Sequence, residues 1–298
     1  DTMKEQLIEA AAETDDALME TFFEEGSLTE EQLGTGISNG LREGSLIPVF
    51  AADGPDGVGT SEIVDFTMSW MPGADKKIPL TAKDGKEEEV EVAPDPNGPF
   101  VGYVFKSTVD PFIGKINFVR ICSGTLTADS DVKNSPKRSS EKIGKIHRPV
   151  GGEMKDITEA CAGDIVALPK LKNTEMGDTL CGSSVDIAFE PVQMPQAMLS
   201  KSIRTTSKKD EDKIGEALSK LSEEDPCFNS RMDAQTRELV ISGMGDMHIQ
   251  VMVNRLKNRY GIDVELGRPK IPYKETFSTN ADVSYRHKKQ TGGSGQFG

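Results

Sequence analysis

Six cations, Lys133, Lys137, Arg138, Lys142, Lys145 and Arg148, fall within sixteen residues in which Glu141 is the only acid. Ammonium and guanidinium groups at that density suit phosphate oxygens, because each such contact releases counterions condensed on a nucleic-acid backbone. By default the same residues are a plain solvated face. Such a face would not need the local contrast that the charge distribution shows. The chain has 298 residues and a net charge of −14, yet its first sixty residues hold fourteen Asp and Glu against two basic residues. The rest is nearly neutral, with its cations in patches. An acidic total ordinarily argues against nucleic acid. Here it says only that the N-terminal part is not the face that would meet it.

Other candidates for chemistry are weaker. The loop Gly54-Pro55-Asp56-Gly57-Val58-Gly59 has the glycines of a phosphate loop but not the Lys-Ser/Thr that meets phosphate and magnesium, and its acids repel an anion. His248 has the side chain of a general base, but no nucleophile or carboxylate is paired with it in sequence, and a solvent-side helix histidine is the commoner case. Cys122, Cys161, Cys181 and Cys227 are scattered and never spaced as CxxC, which argues for reduced thiols and against structural zinc. No metal or catalytic residue is expected. No apolar run approaches the ~20 residues of a membrane span, and the opening DTMKEQLIEAAAE has no export-signal pattern. A cytoplasmic monomer is expected.

The elements that must position these residues follow from periodicity. The stretch Glu238 to Tyr260 is the clearest: a β-branched strand from Leu239 to Ser242, glycines at 243 and 245, then a helix with Ile249, Val253, Leu256 and Tyr260 on one face. Arg255, Lys257 and Arg259 lie on the other. With a strand at 199–205, a helix at 210–222 and strands at 228–232 and 262–266, the order from Met198 is β-α-β-β-α-β, the ferredoxin-like arrangement. Upstream, residues 100 to 182 show only strands at roughly 8–12-residue spacing, the sign of a small antiparallel barrel. Residues 3 to 24 read as one helix. A capping box at Thr29–Gln32 opens another, Leu46 to Ala52 reads as a buried strand, and a third helix ends at Trp70. Such a set cannot build an open sheet with its own core, so it looks like the tail of an α/β domain. From Pro72 to Pro99 a linker with one short strand is expected.

Several phrases resemble the elongation factor G family of translational GTPases. FVGYVFKSTVDPFIGKINFVRICSGTL with AGDIVAL and GDTLCG resembles the family's second domain, a β-barrel. KIGEALSKLSEEDPCF and ISGMGDMHIQVMVNRL resemble its third, and QTGGSGQFG the opening of its fourth. The acidic N-terminal helices resemble the end of its GTPase domain. The resemblance therefore implies a multidomain α+β chain: residues 1–75 the remnant of an α/β GTPase domain, 76–190 the antiparallel β-barrel, 191–276 a ferredoxin-like βαββαβ domain, and 277–298 the start of a fourth.

By resemblance the partner is the ribosome, the basic set from Lys133 to Arg148 contacts ribosomal RNA, and the parent promotes translocation. The phosphate loop, switch segments and NKxD motif are missing, so this stretch is expected to be inactive alone, with no cofactor of its own. GTP and magnesium are expected of the full-length protein. The family's guanine-contact turn corresponds to Asp53 and Gly54 in a shortened loop, a departure that suggests a divergent paralogue. A ribosomal-protection relative and a protein-interaction scaffold without RNA contact are the alternatives.

Overall fold

The computed structural model describes residues 2–110, 112–289, 293, 296 and 297. The chain divides into two compact units, residues 1–196 with 215–228, and 197–214 with 229–298. The first unit opens with helices α1 (Thr2–Ala12), α2 (Asp16–Glu25), α3 (Glu30–Glu43) and α4 (Thr60–Trp70). The single helix expected over 3–24 is thus two. Asp15 breaks it: its backbone is extended and its carboxylate accepts from Ala17 N–H and Leu18 N–H, a local bond that competes with continuing the helix. The Thr29 capping box is present, with Gln32 returning the bond. Ile8, Ala11, Leu18 and Ile37 bury the helix faces against one another.

The buried strand expected at 46–52 does not form. The segment is irregular, and Val49 is 91% exposed. A continuous apolar run signals burial, but a strand also needs a neighbour to satisfy its backbone, and none is paired with it among the described residues. The one short strand expected within 72–99 is present, but it has a partner and the stretch is more than a linker. Strands β1 (Leu80–Asp84) and β2 (Glu89–Val92) form a hairpin. Asp84 accepts from Lys86 N–H and Glu88 N–H to close its turn, the Asx chemistry of a loop-forming aspartate.

The barrel strands are β3 (Val101–Asp110), β4 (Gly114–Ser123), β5 (Thr125–Thr127), β6 (Asp131–Asn134), β7 (Ser139–Lys142), β8 (Ile146–Val150), β9 (Glu153–Ile157), β10 (Glu159–Cys161), β11 (Ile165–Pro169) and β12 (Thr179–Cys181). β13 (Ile187–Ala188) then adds to β1 beside the hairpin. The main ladder runs β7-β6-β12-β3-β4-β11-β8-β9, every pair antiparallel, and β5 pairs with β10. Val104, Val119, Ile121, Ile146, Leu168 and Leu180 fill its interior. At the β3–β4 tip Asp110 accepts from Phe112 N–H and Ile113 N–H, a turn as expected; Pro111 lies outside the described residues.

β14 (Leu199–Thr205) leads through a one-turn 3₁₀ segment, capped by Ser207, into helix α5 (Glu211–Glu224). Ile214, Ala217, Leu218 and Leu221 form its buried stripe. The 215–228 stretch groups with the first unit, where Val109 N–H donates to Glu224 Oε1 at 2.9 Å.

The second unit is built on a four-stranded antiparallel sheet of β14, β15 (Asn229–Met232), β16 (Leu239–Gly243) and β17 (Val264–Gly267), in the order β15-β16-β14-β17. β16 lies between β14 and β15, as a split βαβ arrangement requires. Helix α6 (Asp246–Tyr260) packs on β16. Gly243 matters at its entry, because a Cβ there would stand 3.0 Å from the Nδ1 of His248. That nitrogen accepts from Met244 N–H at 3.1 Å, so His248 helps to shape the turn. Glu238 is buried and accepts from Lys270 N–H at 2.8 Å, tying the chain beyond β17 to the sheet. Two short strands, β18 (Lys288–Lys289) and β19 (Gln296–Phe297), pair with each other. The glycine-rich stretch from 290 otherwise lies outside the described residues, residue 293 excepted.

One helical face shifts from its predicted position. Ile249, Met252 and Leu256 are the deeply buried residues of α6, and Val253 and Tyr260 sit at the edge. Leu256→Ala should therefore cost about 2–4 kcal/mol, and Val253→Ala less than about 1 kcal/mol. Urea denaturation of the two variants measures the difference.

Candidate nucleic-acid interface

The β6–β7 hairpin carries four of the six predicted cations, and its pairing sorts them. Directly opposite residues of an antiparallel ladder share a face. Val132 and Glu141 face each other in register and are buried, as is Asn134. Lys133 pairs with Ser140 and Lys142 with Asp131, and these occupy the outer face. Lys137 and Arg138 form the connecting turn, in which Arg138 N–H donates to the Ser135 carbonyl at 3.2 Å. Arg138 has a left-handed backbone, φ 49°. Lys145 follows the hairpin and Arg148 lies on β8, which is not a neighbour of β6 or β7 in the strand order.

Glu141, the lone acid of the run, does not neutralise its neighbours. Only 4% of it is exposed. Its carboxylate accepts from Lys172 N–H at 3.1 Å, Asn173 N–H at 2.6 Å and the Thr174 hydroxyl at 3.0 Å. A carboxylate withdrawn from water is tolerated only when its lone pairs are met this way. The network continues through Asn134, whose Nδ2 donates to Asp178 Oδ2 at 2.8 Å and whose Oδ1 accepts from Lys137 N–H at 3.2 Å. Asp178 also accepts from Glu175 N–H at 2.8 Å. Hairpin and 172–178 loop thus hold each other.

Four of the six cations meet carboxylates from elsewhere in the chain. Lys133 Nζ lies 2.8 Å from Asp186, Lys137 Nζ 2.7 Å from Glu175 and 3.2 Å from Asp178, Lys145 Nζ 2.7 Å from Asp156, and Arg148 3.4 Å from Asp164. Asp156 also approaches His147 Nδ1 at 2.7 Å across the β8–β9 ladder. The hydrogen bond from Lys137 holds Glu175 below the ordinary glutamate range, and those from Lys133 and Lys145 do the same for Asp186 and Asp156. Burial pulls Lys137 down, but Glu175 and Asp178 outweigh it and leave it raised. Arg138 and Lys142 are exposed and make no ion pair among the described residues. No local signal in the sequence announces these acidic partners, which lie up to 53 positions from the cation they meet.

The other expected site residues sit apart. Asp53 is exposed, and its N–H donates to the Val58 carbonyl at 2.9 Å, closing the loop; Gly54 is open to solvent. The loop has no lysine, and no group of three or more His, Cys, Asp and Glu among the described residues could hold a metal ion. No described helix is long and apolar enough to cross a membrane.

Comparison with known proteins agrees with the order of these folds. Residues 99–183 match the family described as Elongation factor G domain 2, and residues 194–268 match Elongation Factor G, domain III. The chain belongs to the elongation factor G family. It is 36% identical over 298 residues to a protein of Thermotoga maritima described as "Elongation factor G-like protein", covering 99% of this chain and 43% of that one. A crystal structure of a protein from Thermus thermophilus superposes with a TM-score of 0.71 at 29% identity, over 98% of this chain and 41% of that one. The chain therefore spans less than half the length of the relatives it matches. The elongation factor G domain II match encloses all six cations and Glu141.

Two expectations follow. Glu141→Ala leaves two backbone amides and a buried hydroxyl without their acceptor, and should destabilise the barrel by about 2–4 kcal/mol, measured by urea denaturation. Because the Glu175 carboxyl is lowered from 4.5, the stability it contributes is present above that value and is lost as the pH falls through its folded value. Lys137→Met should flatten the loss of stability on acidification, and thermal unfolding across the acid range tests it.

Proposed function

We propose that this chain is the central, ribosome-facing part of a cytoplasmic translational GTPase that promotes translocation during protein synthesis. The observation that carries the reading is the succession of the two elongation factor G domains along one chain, barrel first. GTP and magnesium belong, on this reading, to the complete protein; the residues described here take no part in holding the phosphates. The role of the barrel is to meet ribosomal RNA through its phosphate backbone. Of the six cations, Arg138 and Lys142 are the ones that make no ion pair among the described residues, although Lys142 stands opposite Asp131 in the ladder and the charge of Arg138 is felt at Asp186. Their contacts position the factor without reading sequence, because phosphate is the same at every nucleotide. Lys133, Lys137, Lys145 and Arg148 instead hold the hairpin and its neighbouring strands in place.

This division of labour is testable on the complete protein. Arg138→Asn, which tolerates the left-handed backbone, combined with Lys142→Ser should weaken association with the small ribosomal subunit. It should also lower the slope of log affinity against log salt by about two units, roughly one for each phosphate no longer neutralised. Lys145→Ser should leave the slope unchanged. An unaltered slope in the double variant returns the hairpin to a solvated face. The wild-type complete protein should advance messenger RNA by one codon in a translocation assay, which a ribosomal-protection relative would not do.

A further inference from the structure

A cleft of about 300 Å³ opens in the first unit, where the end of α3 and the 71–78 segment approach β1, β2 and β4. Met71, Ile78, Leu80 and Val92 supply apolar walls, and Arg42, Lys77 and Arg120 bring three positive charges to it. None of the described residues that line it is an Asp or Glu. In a chain of net charge −14 that is a local inversion of sign. Arg42 shares its charge with the exposed Glu43 at 3.4 Å. Lys77 and Arg120 have no ion pair among the described residues. The charge of Arg120 reaches the neighbouring wall: burial pushes the Cys122 thiol up, and Arg120 acts in the opposite direction.

The cleft is also a built feature. Gly163, at φ +99°, lies so close to Ala74 that a Cβ would overlap that side chain. The glycine thereby lets the β10–β11 turn reach the 74–76 segment, which bounds the opening. Like charges gathered on a low-dielectric wall repel one another, and the repulsion is relieved when an anion enters. A free inorganic anion would leave the apolar wall wet. An anion with an apolar body covers it, and the volume is at the small end for ligand pockets.

We propose that this cleft binds a small amphipathic organic anion, its phosphate or carboxylate head met by Arg120, Lys77 and Arg42 and its short apolar body lying on Met71, Ile78, Leu80 and Val92. The site is separate from the basic hairpin and does not depend on the ribosomal reading. Calorimetry on this chain with octyl phosphate, octanol and inorganic phosphate tests it. Octyl phosphate should bind about tenfold or more tightly than either half alone, because the charged and apolar contacts act together. Arg120→Gln and Lys77→Gln should each weaken octyl phosphate by about tenfold and leave octanol unchanged, with circular dichroism showing that both variants remain folded. Absence of octyl phosphate binding would overturn the proposal. Equal binding of inorganic phosphate would make this a simple ion site and also overturn it. Unchanged affinity in both variants would place the ligand on other exposed apolar surface, with the same consequence.

Discussion

A carboxylate in the interior of a barrel must be fully hydrogen-bonded or it unfolds its surroundings. Glu141 meets that constraint with the 172–174 segment, and much of the candidate interface depends on how it does so. The loop is drawn onto the hairpin, Thr174 and Asp178 are brought to Asn134, and Asn134 in turn receives the backbone of the Lys137 turn. With the loop come Glu175 and Asp178, which meet the Lys137 ammonium. Which cations remain available to a partner is therefore decided by a buried acid and not by the number of lysines. In the second unit Glu238 does similar work on a smaller scale. The amide of Lys270 holds its carboxyl below the ordinary range, and Arg204 stands 3.3 Å away.

The parts of the fold that were legible in the sequence are those governed by local rules. The βαββαβ order, the limits of β14 and α6 and the Thr29 capping box each depend on residues within a few positions of one another. Hydrophobic period and capping chemistry suffice there. What escaped had a cause at a distance or a competing local bond. Asp15 ended a helix whose apolar spacing continued through it. Leu46 to Ala52 had a strand's composition without a strand to pair with. Of the β1–β2 hairpin only one strand was expected; β1 was hidden in residues whose composition signalled a linker, although Asp84 carried the turn chemistry. For α6, Met252 displaced Val253 from the core because a face read from a few apolar positions is uncertain by part of a turn.

The candidate site was half legible. Its cations were visible as a cluster, and the family resemblance attached a partner to them. Their pairing was not visible, because Asp156, Asp164, Glu175, Asp178 and Asp186 are brought to them by the fold and not by sequence adjacency. Glu141 stood out as the one acid in the run, yet nothing in a linear reading distinguishes a surface counter-charge from a buried acceptor. Register does: opposite Val132, with Lys133 and Lys142 on the alternate face, the residue at 141 must point inward. The basic hairpin thus combines an outward face for charge with an inward face that fixes its shape, on one period-two pattern.

Native-state hydrogen exchange at the amides of Lys172, Asn173 and Glu175 tests this account most directly. Two of the three residues donate to Glu141 and the third to Asp178, although all three side chains are exposed at the surface. If the buried carboxylates hold hairpin and loop as one piece, these amides exchange only when the barrel itself opens, with the same free energy as its central strands. Exchange at the rate of an unstructured loop, while β3 and β4 remain protected, would contradict it.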